Sequence, residues 1–182
     1  MNQDVFDYHI HIEKFSNLLV WLIFICFAGL CLTGFPMLVM SRFFLTKTGS
    51  RFSIINMELP FSFTKFRDII DGTSNSTKDT MRMNLKLDYY FMIFAYLLLF
   101  FAGWFVLQRQ QTAQPDNTYR LLWIPFIAWL FDILENKMAL ASLEKLSKAK
   151  ARLLLVFSLV KWLLIAGYVL FMAAVYFGFV AV

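Results

Sequence analysis

Four long apolar stretches leave this chain few ways to fold. Leu18 to Met40 runs for 23 residues without a charge, and Tyr89 to Gln108 runs for 20 between Asp88 and Arg109. Leu121 to Ser142 and Leu153 to Val182 are as oily, apart from a few ionisable residues near their middles. About 20 apolar residues in a helix cover the hydrocarbon core of a bilayer. None of the four alternates apolar and polar residues as a barrel strand would. Composition agrees, since 60% of the 182 residues are hydrophobic and 22 are Phe, more greasy surface than a soluble domain of this size can bury. The pattern predicts an all-α integral membrane protein, a single membrane domain over 1–182, with four transmembrane helices in an antiparallel bundle. The helices are expected at about 16–42, 77–110, 119–145 and 151–181, with a loop at about 43–76.

Charge sets the orientation. With four crossings, the N-terminus, the second loop and the C-terminus share one side and hold only Lys14, Arg109 and Arg120. The first and third loops hold thirteen basic residues, from Arg42 to Lys86 and from Lys137 to Arg152. Lys and Arg concentrate in cytoplasmic loops, so both termini are expected outside the cytoplasm and the two basic loops within it, in a plasma or inner membrane. The net charge of +5 is then chiefly a topology signal, with the lipid bilayer as partner and anionic headgroups attracted to the basic loops. The basic residues are scattered among aliphatics without a recognition motif, and no nucleic-acid partner is expected.

The first span is too long for a signal-peptide core and lacks a basic leader, so it reads as a retained helix. Between the first two spans, Phe61, Phe63, Phe66, Ile69 and Ile70 mix with Lys65, Arg67 and Asp68. They predict a short amphipathic helix, lying in the headgroup layer or packed as a cap over the bundle's cytoplasmic mouth. Ser76, followed by Asp79, marks an N-cap for the second helix near Thr77.

Chemistry is confined to one place. Asp132, Glu135 and Asn136 fall within one arc of about 100° on the third helix, on the side that also carries Ala128, Ala139 and Ser142. On the fourth helix Ser158, Lys161, Ile165, Tyr168 and Met172 form a stripe whose only charge is Lys161. At roughly 1.5 Å per residue from the short loop between these helices, Glu135 lies about 10 Å deep, Lys161 about 12 Å and Asp132 about 15 Å. The lysine therefore falls between the two acids, and an ion pair or shared network follows. An unpaired charge at the centre of a bilayer costs roughly 2.5–3.5 kcal/mol on insertion scales. Asn136 and Tyr168 are placed to add hydrogen bonds. Asp88, Lys137 and Ser158 are accessory candidates: Asp88 as a third acid at the wet interface, Lys137 as a base snorkelling toward the cluster. Two acids facing one base leave a carboxylate over for a ligand, an ion or a proton.

Other features carry less. Cys26 and Cys31, five apart in one helix, point to different sides and cannot bridge; with Gly29, Thr33 and Pro36, Cys26 forms a small-residue seam for helix packing. His9 and His11 precede Glu13, but no Cys or His outside the first span completes a metal set, so no metal and no cofactor are expected. Phosphate loops and nucleophile–histidine pairs are absent from the sequence. The leading expectation is a non-enzymatic protein acting by assembly, as a homo-oligomer or a subunit of a membrane complex around the buried acid/lysine network. The alternative is an oligomeric channel or transporter handling protons, ions or a small solute at the same residues. Third comes a membrane-embedded enzyme acting on lipid, with Asp132 or Glu135 as acid or base.

Overall fold

The computed structural model describes the backbone of residues 3–53, 55–109 and 116–179, and the side chains of 17–53, 57–109 and 118–179. It is all-helical: α1 (Gln3–Ser41), α2 (Ile55–Glu58), α3 (Phe63–Gly72), α4 (Asn75–Arg109), a 3-10 helix (Asp116–Trp123), α5 (Ile124–Glu144) and α6 (Lys148–Tyr176). Among the described residues the only bridges of β type are isolated ones, Leu45 with Arg51 and Thr46 with Thr73.

Among the described residues, three helical segments are long and apolar enough to cross a membrane: Asn17–Ser41, Asn75–Arg109 and Lys148–Tyr176. The fourth stretch, α5, forms a helix of 21 residues, about 32 Å long at 1.5 Å per residue. It does not join the other three on composition, because Asp132, Glu135 and Lys137 interrupt it. Length and composition thus mark three of the four expected spans, and α5, which carries the acidic cluster, is set apart from them.

Helix ends follow local rules with one shift. Ser74, not Ser76, caps α4, its Oγ accepting from the Thr77 amide at 3.2 Å. Ser62 caps α3 and Ser147 caps α6 in the same way. Lys150 donates from Nζ to the carbonyls of Ala141 (2.9 Å) and Lys145 (2.8 Å). A cation on the carbonyls at the end of α5 complements their partial negative charge and ties the start of α6 to it.

Contacts give the directions. Gly29 of α1 faces Phe94 of α4, Gly34 faces Phe91, and Met37 accepts from Asn84, so the two helices run antiparallel. Asp88 meets Asn136 and Tyr96 meets Asp132, which makes α4 and α5 antiparallel as well. Helices α4, α5 and α6 form the packed centre, while α1 packs chiefly along α4. Of the small-residue seam, Cys26 and Gly29 are buried; a Cβ on Gly29 would run into the Phe94 ring. Thr33 turns its hydroxyl back to the Gly29 carbonyl (2.8 Å), and Pro36 lies within α1, half-buried.

The segment between α1 and α4 is a packed cap. Phe66 and Ile70 of α3 are buried with Phe44, Phe52 and Met57 against Met81 and Leu85 of α4, Leu143 of α5 and Leu154 of α6. The amphipathic face of α3 is therefore used on protein. A second apolar cluster, Leu107, Leu122, Tyr168, Met172 and Val175, closes the far end of the bundle. Between the two apolar plugs lies the polar centre.

Candidate functional site: a buried lysine paired with two acids beside a cavity

Lys161 is 5% exposed and sits between two acids of α5. Its Nζ donates to Asp132 Oδ1 at 2.9 Å and lies 2.7 Å from Glu135 Oε2. Asp132 is satisfied on both oxygens, because the Tyr96 hydroxyl donates to Oδ2 at 2.8 Å. Glu135, 1% exposed, is not: the lysine lies off the line of a good hydrogen bond to Oε2, and Oε1 meets no donor. The Trp162 ring adds a cation–π contact to Nζ, 5.2 Å from its centroid.

A second pair lies one helical turn nearer the cap. Asn136 Nδ2 donates to Asp88 Oδ2 at 2.6 Å. Asp88 is thus joined to the face of α5 that carries the network, because Asn136 points at it from the facing helix. Asn84, one turn further along α4 and fully buried, donates to the Met37 carbonyl at 2.9 Å and leaves its own Oδ1 without a donor.

The fourth acid comes from outside the long helices. Glu58, last residue of α2, lines a cavity of about 300 Å³ together with Asp88, Tyr96, Asp132 and Lys161. It also lines a neighbouring cavity of about 550 Å³ with Asn84 and Asp88, and a void of about 10 Å³, the size of one water, beside Glu135 and Asn136. The cap places it there: Met57 is anchored in the apolar plug, and the next residue is carried over the polar centre.

Burial pushes the Glu58 carboxyl above the ordinary carboxylate range; Lys161 opposes the rise and Asp132 adds to it. The groups facing it are Asp88 on α4, Asp132 and Glu135 on α5, and Lys161 on α6. A carboxyl whose folded pKa exceeds its unfolded one contributes stability that is full below the unfolded value and is lost as pH rises through the folded value. Glu58→Gln, neutral throughout, should therefore gain stability relative to the parent as pH rises from 4.5 to 8, read by thermal unfolding in detergent at both pH values. An equal difference at the two pH values would refute this.

Two expected members of the network are elsewhere. Tyr168 is buried, but its hydroxyl donates to the Leu99 carbonyl at 3.1 Å and belongs to the far apolar cluster. Two helical turns, roughly 10 Å, separate residues 161 and 168 along one helix, so sharing a stripe does not bring them together. Lys137 is exposed and makes no contact with the acids. Ser158 is fully buried, and its Oγ bonds to none of the network members. Reading the sequence missed Tyr96, Asn84 and Glu58. The first two had a signal, since Asn84, Asp88, Met92 and Tyr96 recur every four residues on α4; Glu58 had only its isolation in an apolar loop segment. No group of three or more His, Cys, Asp and Glu among the described residues is arranged to hold a metal ion. His9 and His11 lie outside the residues whose side chains are described.

The site so assembled has an excess of acid over base, apolar walls, and empty volume beside it. Comparison with known proteins finds no matching family model, no matching curated protein and no matching solved structure.

Proposed function

We propose that this chain is a four-span membrane protein of the transporter or carrier class, whose polar centre holds a positively charged solute or proton. One observation carries the reading: Asp132 and Glu135 hold the Lys161 ammonium, and two further carboxylates, Glu58 and Asp88, line the open volume beside it. A network serving only to fix helix register needs balanced charge and leaves no cavity, because buried charge without a partner is costly. Here the acid surplus is met by protons or by an incoming cation. In this reading α5 is the fourth span, crossing with its acids turned inward, and both termini lie outside the cytoplasm with the basic cap within it.

The test is electrogenic or proton flux in proteoliposomes of the purified full chain, followed with a potential-sensitive dye and an internal pH dye, against protein-free vesicles. Flux above the protein-free rate, lowered tenfold or more by Asp88→Asn, supports the proposal. Rates equal to protein-free vesicles for protons, sodium, potassium and small amines overturn it.

Assembly with a second copy or another membrane chain is favoured by one separate observation. Helix α1 packs chiefly on α4 and leaves Trp21, Phe24, Leu32, Phe35 and Leu38 exposed along its length. Lipid satisfies such a face equally well. Subunit counting by photobleaching at low protein density in bilayers decides between them: single steps favour lipid, two or more favour assembly.

A further inference from the structure

We infer that the solute taken by this site is an amphiphilic amine, with a head group that carries N–H donors and a positive charge and an apolar tail, entering sideways from the bilayer along α1. The inference rests on the reading of the centre as a site for positive charge and names its ligand class.

The cavity of about 550 Å³ lies between α1 and α4 and falls in the size range of small-molecule sites. Its two ends differ. One carries Glu58, Asn84 and Asp88, and the other is walled by Leu30, Gly34, Phe35 and Phe91. Gly34 matters to this shape, because a Cβ there would stand 3.2 Å from the Phe91 ring and narrow the space between the helices. Phe35 and Leu38, at 70% and 69% exposure, form the outer rim, on the apolar face of a segment long enough to cross the membrane. The opening therefore faces acyl chains.

What the head must be follows from the groups that would meet it. Asn84 is fully buried, lines the cavity, and has an acceptor oxygen with no donor. A buried acceptor left without a partner is costly, so the missing partner is a donor. Asp88 Oδ1 and the Glu58 carboxylate make no hydrogen bond among the described residues, and both are acceptors when ionised. Three acceptors, two of them acidic, match a primary ammonium, which offers three donors and one charge. Lys161 already shows this chemistry next door, its ammonium held by Asp132 and Glu135. A metal ion fits less well, since the donor set falls short of a metal site. A quaternary ammonium has no N–H for Asn84, and an anion would be repelled.

Cys31 lines this cavity and is exposed, whereas Cys26 is buried, so alkylation of Cys31 by N-ethylmaleimide reports on occupancy. The full chain in nanodiscs of neutral phosphatidylcholine is labelled with dodecylamine, dodecyltrimethylammonium, dodecanoate or butylamine present. Dodecylamine should slow labelling at least fivefold and saturably; the quaternary analogue should act weakly, and dodecanoate not at all. Butylamine, which reaches the protein from water, should also fail if the tail and the lateral route matter; butylamine protecting as well as dodecylamine overturns lateral entry. Asn84→Leu should abolish the preference for dodecylamine over its quaternary analogue. The comparison of the four probes on the unaltered chain stands by itself, independent of how that variant folds. Equal protection by all three dodecyl probes, or by none, overturns the assignment. Failure here with cation flux retained sinks only the amphiphile and leaves the positive-charge reading; loss of both sinks both.

Discussion

Lys161→Met should be the most damaging single substitution in the bundle, lowering stability by about 3–5 kcal/mol, the usual cost of removing one partner from a buried ion pair. Methionine keeps most of the apolar stem and removes the ammonium, with its ion pairs and its cation–π contact to Trp162, so charge is the main loss. Asp132 keeps the Tyr96 hydroxyl, but Glu135, nearly unexposed and without a hydrogen-bond donor on either oxygen, loses the ammonium 2.7 Å away that is its ion-pair partner. Steric mutagenesis would have no remedy, whereas electrostatics has a specific one: Lys161→Met combined with Asp132→Asn and Glu135→Gln should recover most of the loss. Unfolding in mixed micelles with increasing SDS measures all of these. A loss under about 1 kcal/mol for Lys161→Met would mean that the ion pairs do not hold the bundle together, because buried pairs can break even against their desolvation.

Gly103→Ala should lower stability by about 1–3 kcal/mol, the usual cost of forcing extra volume into a packed interior. A Cβ at Gly103 would occupy the place of the Tyr168 hydroxyl and stand 2.9 Å from its ring carbon Cζ, with Leu122 Cδ2 3.2 Å away. The tyrosine would have to leave, giving up its bond to the Leu99 carbonyl and opening the far apolar cluster. Tyr168→Phe in the same chain should restore only part of the loss, since the ring itself still crowds the new methyl. Gly167→Ala is the control. Nothing lies within 4 Å of a Cβ there, and replacing a helical glycine with alanine usually gains about 0.5–1 kcal/mol. Equal effects at 103 and 167 would show that helix propensity, not contact with Tyr168, sets the response. The two predictions probe different parts of the bundle, charge at the centre and volume at the far end.

The pairing of Lys161 with Asp132 and Glu135 was legible in the sequence because it needs only two regular quantities. Helical periodicity gives the face, and a fixed rise per residue from a short connection gives the depth. Such counting reaches neighbours in a hairpin and no further. It placed Asp88 at the interface, since facing α4 across α5 depends on a crossing that no local pattern encodes. It enlisted Tyr168 from its stripe, though two turns put the hydroxyl beside Leu99. The cap was half-legible: the amphipathic spacing of Phe63, Phe66, Ile69 and Ile70 announced a helix, but lipid and protein would each accept its apolar face.

From sequence alone came the class of the molecule, the long apolar helices and the acid/lysine contact between consecutive ones, because those depend on local hydropathy and helical geometry. Tertiary structure decided the composition of the site. It brought Asn84 and Tyr96 from α4 and Glu58 from the cap to residues 36 to 103 positions away along the chain. The physical reason is that an irregular segment has no period to extrapolate: where Glu58 ends up depends on how Phe44, Phe52, Met57 and Phe66 fill the apolar mouth of the bundle. Two acids facing one base describe a register lock with one carboxylate to spare. Two acids on one base, with two more lining the cavity beside them, are what the proposal of a cation site rests on.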